Sequence, residues 1–217
     1  MNKKMMLLAL SVVSAALFAL PAVASATPAH ISATENFTIS GTETVTLEDD
    51  GGAKVECHSG VSGSGSFENT TTGTINLTFS GCTSSGISCN SSGAAAGTIV
   101  TTALPFHLVM LAANSPGVLI TPNAGGTGTH FATFNCTIFV KKEVTGNGVL
   151  GTITSPACGV ANKTATMSFA QDPAKTGSQL HPTYTGTTYQ LKGNGTNSAQ
   201  IATGQIHFAN AKTISCT

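Results

Sequence analysis

The chain has 217 residues, of which only 8% are charged; nine are basic, all of them lysine, and nine acidic. Recognition of phosphate and nucleic acid relies on arginine forks and basic patches, so this composition excludes nucleic acid as a partner. Threonine, serine, asparagine and glycine must cover the surface instead, as in secreted, adhesive and cell-surface proteins.

The first residues, "MNKKMMLLALSVVSAALFALPAVASA", join Lys3 and Lys4 to an apolar run from Met5 to Leu20, a break at Pro21 and the small residues Ala24-Ser25-Ala26. This is the pattern of a secretory signal peptide over 1–26, which takes no part in the fold. The run is shorter than the ~20 residues a helical span needs, and no cysteine follows it for lipid attachment. The mature chain is therefore expected to leave the cytoplasm without a membrane span. Without Lys3 and Lys4 it keeps seven lysines against nine acids, a net charge near −2.

Residues 27–34 read as a flexible N-terminal segment, and 35–217 as a single all-β domain. The strands "ENFTIS" and "TETVTLE" come first. Asp49-Asp50-Gly51-Gly52 then forms a hairpin turn into "AKVE". "TINLTFS" alternates, with Ile75, Leu77 and Phe79 on one face and Asn76, Thr78 and Ser80 on the other. "LPFHLVMLAAN" (104–114) reads as a buried strand rather than a helix, with "GVLIT" as its neighbour. "HFATFNCTIFV" puts Phe134, Cys136, Ile138 and Val140 on one face and Phe131 and Phe139 on the other. "TATMSFA" and "AQIATGQIHFA" repeat the habit. Gly, Pro and Asn divide these runs every 8 to 12 residues or so, the spacing of an antiparallel sandwich or barrel.

All six cysteines, Cys57, Cys82, Cys89, Cys136, Cys158 and Cys216, lie in the mature part. An even count in an exported chain points to disulfides. Cys82 and Cys89 flank the Gly/Ser-rich "TSSGIS", too widely spaced for a zinc pair and not a redox C-x-x-C. A local Cys82–Cys89 staple is expected.

The segments "GTINLTFSGCTSSGISCNSSGAAAGTI", "HFATFNC" and "VTGNGVLGTIT" resemble those of a group of uncharacterised secreted bacterial proteins, over roughly residues 55 to 170. The resemblance implies export, a β-rich fold and the local cysteine pair, and it transfers no catalytic residue. It also contributes to a pairing of Cys57 with Cys136, two strand residues, which leaves Cys158 with Cys216. A faint internal echo supports a rival set: Cys57–Cys82, Cys136–Cys158 and Cys89–Cys216. Sequence does not choose between them.

Residues able to carry chemistry are sparse. Acid–base catalysis needs carboxylates or histidines within reach of one another, yet His30, His58, His107, His130, His181 and His207 are scattered singly. Glu48, Asp49 and Asp50 cluster within a turn and lack the ligand spacing of a calcium loop. Glu56 and His58 beside Cys57 are the only residues a hydrolase reading can offer. Thr-x-Thr pairs (42/44/46, 127/129, 152/154, 164/166, 183/185) would line strand faces with hydroxyls, and Tyr184 and Tyr189 are the tyrosines available to stack on a glycan. No metal or cofactor is expected. The sequence thus points to a non-enzymatic structural or adhesive protein whose partners are a cell surface, a matrix, a glycan or a second copy. A glycan- or small-ligand-binding module, or a hydrolase of unrecognised type, is the alternative.

Overall fold

The computed structural model describes residues 28–122, 130–137 and 140–216; residues 1–26, expected to be a signal peptide, and Thr127, Thr129, Ile138 and Phe139 lie outside them. The described residues contain no helix. The chain runs through β1 (His30–Ile31), β2 (Asn36–Gly41), β3 (Val45–Asp49), β4 (Lys54–Cys57), β5 (Val61–Phe67) and β6 (Thr72–Ser80). Next come β7 (Cys82–Ser84), β8 (Ile87–Ser88), β9 (Thr98–Val100), β10 (Leu104–Ala112), β11 (Ser115–Ile120) and β12 (His130–Thr137). Then follow β13 (Val140–Gly146), β14 (Val149–Ser155), β15 (Ala161–Phe169), β16 (Thr183–Tyr184), β17 (Thr187–Thr188), β18 (Leu191–Gly193) and β19 (Thr196–Ser215).

Eight strands close an antiparallel barrel. Around it, β2 pairs with β5, β5 with β6, β6 with β10, β10 with β11, β11 with β14, β14 with β15, β15 with β19, and β19 again with β2. Period-two alternation sends every second side chain inward. In β2, Phe37 and Ile39 are buried while Asn36, Thr38 and Ser40 face out. Phe37 lies at the centre of an aromatic cluster, with ring centroids 5.4 Å from Phe67, 5.8 Å from Phe106 and 6.2 Å from Phe208. Two glycines make room for it. A Cβ on Gly65 would approach the Phe37 ring to 2.4 Å, and one on Gly73 the Phe106 ring to 2.7 Å.

Shorter strands and the start of β19 build a second ring at one end of the barrel. There β12 pairs with β13, β13 with β18, β18 with the start of β19, β19 with β3, β3 with β4, β4 with β7 and β7 with β8. Two of its hairpins turn through Ser85-Gly86 and Asn194-Gly195, all four residues at positive φ. That is the conformation a two-residue turn needs to match strand twist. The circuit is completed just after β8. Asn90 and Asn135 exchange two backbone hydrogen bonds (2.8 and 2.9 Å), and Cys89 is disulfide-bonded to Cys136. The segment 170–190 folds over the outside of the barrel, where Tyr184 and Tyr189 pack on Val109, Leu119 and Leu150.

Several expectations are corrected. The N-terminal segment is docked rather than loose: His30 and Ile31 pair with Ser215 and Ile214, and Ala29 and Ile31 are buried. In β12 a register shift after His130 buries Phe131 and Ala132 together, so the face assigned by strict alternation fails there. The Cys82–Cys89 staple does not form. The β7–β8 hairpin does bring the two backbones together, with Cys89 N–H donating to Cys82 O (2.9 Å). Each sulfur, however, bonds to the strand on its other side, giving Cys57–Cys82 and Cys89–Cys136. The expected Cys57–Cys136 pair is therefore also absent, because β4 lies against β7. Cys158–Cys216 is present, tying the β14–β15 connection to the end of β19.

Non-reducing peptide mapping should recover Cys57 with Cys82, Cys89 with Cys136 and Cys158 with Cys216; a Cys82–Cys89 fragment would overturn this pairing. Replacing both Cys89 and Cys136 by serine should cost about 4 kcal/mol in the chain-entropy picture, from the 47-residue separation that the bond closes. A second prediction concerns Glu35. Burial opposes its ionisation, but hydrogen bonds from Lys212 Nζ (3.0 Å) and from the backbone and side chain of Asn210 (both 3.4 Å) outweigh it and lower its pKa. A lowered carboxyl pKa gives stability that is present above the ordinary value and lost as pH falls through the folded one. Glu35→Gln should thus lower Tm at pH 7, and the deficit should shrink below about pH 4. A deficit that does not change with pH would remove the ion pair from the account.

Candidate functional site

The second ring is hollow. Its inward residues follow from cross-strand register: Val45 opposite Cys57, Leu47 opposite Val55 and Gln200, Ala132 opposite Val144, Phe134 opposite Lys142. Side chains directly opposite one another share a face, so these line the interior. At the inner end, Leu77, Ile99, Leu104, Ile120 and Val149 of the barrel and β9 form the floor. Together they enclose a cavity of about 70 Å³.

The cavity wall is almost all carbon. Its two polar side chains are Thr101 and Gln200. Thr101 Oγ1 accepts the Leu77 N–H (2.9 Å), so its oxygen is already engaged. The Gln200 backbone N–H donates to the Gln179 side-chain oxygen (2.7 Å), while its own amide makes no hydrogen bond among the described residues. Gln179 is 1% exposed and also donates to Ala170 O (2.9 Å), which fixes the segment behind Gln200.

Outside the cavity is a vestibule of about 170 Å³, and the two share Leu47, Val55, Phe134 and Val144. The two spaces are therefore adjacent, and these four side chains border both. The vestibule rim is polar: Asp49, Ser84, Lys142, Asn194, Thr196 and Ser198. Asp49 Oδ1 accepts the N–H groups of Gly51 (3.0 Å) and Ala53 (2.9 Å), so it holds the β3–β4 turn. Ser198 Oγ accepts from Gly193 N–H (2.9 Å) and donates to Thr196 O (3.1 Å). Lys142, half-buried on the inner face, has no ion-pair partner among the described residues.

The residues singled out from sequence are dispersed. Cys57 is held in a disulfide, Glu56 points to the opposite side of β4 from Cys57, and His58 is exposed. This gives no nucleophile beside a base. Asp49 caps its own turn, and among the described residues no three His, Cys, Asp or Glu come together. Tyr184 and Tyr189 pack, partly buried, on the apolar patch outside the barrel; burial, then Tyr189, raises the Tyr184 pKa. Two pairs appear that sequence reasoning missed. His130 Nε2 meets Glu143 Oε2 at 2.9 Å, and Ser40 Oγ meets His207 Nε2 at 2.9 Å across 167 residues. The second is a serine–histidine contact on an outer wall. Among the described residues, no carboxylate orients that imidazole, as a triad requires.

The barrel exterior carries two polar rows without Asp, Glu or Lys: Thr164, His207, Thr38, Ser64 and Asn76, and beside them Thr166, Gln205, Ser40, Ser62 and Thr78. A membrane-spanning barrel is built the other way, apolar outside. No helix among the described residues is long and apolar enough to cross a membrane. Compared with protein-family models, curated proteins and solved structures, the chain matches none.

Proposed function

We propose that the mature chain is an exported, non-enzymatic binding module that holds a small apolar ligand inside its second ring. The observation that carries this is the carbon-walled cavity of about 70 Å³ behind a polar vestibule. A concave apolar site with a few convergent polar groups is the usual form of a ligand pocket. The volume is about half that of an engineered 150 Å³ cavity that takes benzene, so it suits an alkyl end of about three or four carbons. Export rests on the signal pattern and on three disulfides that engage all six cysteines, as expected for an oxidising compartment.

Titration with a series of primary alcohols tests this. Affinity should rise about fourfold for each methylene (~0.8 kcal/mol) while the chain still fits, then level off. Ala132→Val, which adds two methyl groups to the cavity wall, should abolish binding while leaving Tm unchanged or higher. Binding that is flat with chain length, or that survives the filled cavity, would refute the assignment.

The two polar rows on the barrel favour a second reading, adhesion to a glycan or matrix surface. Hydroxyls and amides repeated across five strands, with one imidazole among them, offer hydrogen bonds. Co-sedimentation with insoluble polysaccharide should then be lost in Thr38→Lys/Ser64→Lys while alcohol binding stays intact. Retention on the solid by that double variant would exclude the wall.

A further inference from the structure

We propose that the ligand of the second ring is a short aliphatic carboxylate, its head held by Lys142 at the rim and its tail in the cavity. This rests on the binding function proposed above and adds the chemical class. The register leaves no choice about where Lys142 points. It is opposite Phe134, which is 3% exposed, and two residues from Val144, which is 8% exposed and lines the cavity. Alternate residues of a strand share a face and lie about 7 Å apart. The ammonium therefore extends from the polar end of the same inner wall whose next step borders the apolar space.

The other charges around the vestibule are committed elsewhere. Lys54 Nζ pairs with Glu48 (3.5 Å), and Asp49 holds its turn. Glu143 points to the opposite side of β13, where it meets His130. Lys142 is thus the cation at this mouth without an ion partner among the described residues. A half-buried ammonium prefers an anion, because charge-assisted hydrogen bonds are about twice as strong as neutral ones. A carboxylate with an aliphatic tail satisfies the rim and the cavity together. An alcohol fills only the cavity, and an amine places like charges side by side.

Calorimetric titration of the mature protein with hexanoate, 1-hexanol and hexylamine at pH 7 tests the assignment. Hexanoate should bind at least tenfold more tightly than hexanol, hexylamine should bind most weakly, and 0.5 M salt should narrow the gap as screening rises. In Lys142→Met hexanoate should fall to the level of hexanol, with hexanol unchanged as the internal check on folding. Lys142→Arg should restore the preference. Acetyl-leucine, which presents the same chemistry as a peptide C-terminus, tells the sources apart: tighter binding than hexanoate identifies a peptide end, weaker binding a free acid. If hexanol binds and hexanoate binds no better, or if Lys142→Met keeps the preference, the head assignment falls alone. If none of the three probes binds, the pocket falls with it.

Discussion

One run of backbone holds the molecule together. β19 extends over Thr196–Ser215, about 65 Å of strand at ~3.3 Å per residue. Its first residues pair with β3 and β18 in the second ring, and from Ala202 onward it pairs with β15, then with β2 in the barrel. Because the same strand belongs to both walls, the rings cannot shift relative to one another without breaking its ladders. The apolar end of the barrel is thereby fixed as the floor of the second ring. Gln200 lies at the changeover, facing Leu47 across the ladder. The cavity is the space left where two walls of different composition are held at one separation.

Closure of the second ring is of a different kind. Most of its circuit is ordinary antiparallel ladder, but β12 joins the 90–102 segment through isolated bridges at Asn90–Asn135 and Thr101–Ala132, beside the Cys89–Cys136 bond. One such bridge is weak against the entropy of the loops it closes. The covalent link takes the place of a longer ladder. A curved wall can thus end there without presenting a long open edge for pairing with another chain. The Cys57–Cys82 bond braces the adjacent β4–β7 pair, so two of the three disulfides are in the wall of the hollow ring and none is inside the barrel, whose phenylalanine core packs without one.

What could be read from the sequence follows from the range of the forces involved. The Asp49–Gly52 turn, the inward Ile75 and Leu77 and the 104–120 hairpin are local consequences of turn chemistry and period two, and they are found as expected. Cys158–Cys216 is found as expected, but the partners of the other four sulfurs were not readable, because they depend on which strands lie side by side. The Cys82–Cys89 expectation read a loop that folds back where the structure has the β7–β8 hairpin, and it failed on which neighbour each sulfur faces. Lys142 was invisible for the same reason. In the sequence it is one of two adjacent lysines, and only its register against Phe134 turns it toward the cavity.

The shared strand also dictates the order in which this chain can fold. The contacts of β19 reach back as far as His30, which pairs with Ser215 near the opposite end of the chain. Neither circuit can be completed from the earlier strands alone, since β2 and β3 both await the same late partner. Local hairpins such as β5–β6 and β10–β11 can form early, but final closure is dominated by long-range pairing, which slows folding because loop entropy is lost before contacts compensate it. Until then β2 exposes a free edge bearing Phe37 and Ile39. Neither ring is complete until β19 has paired.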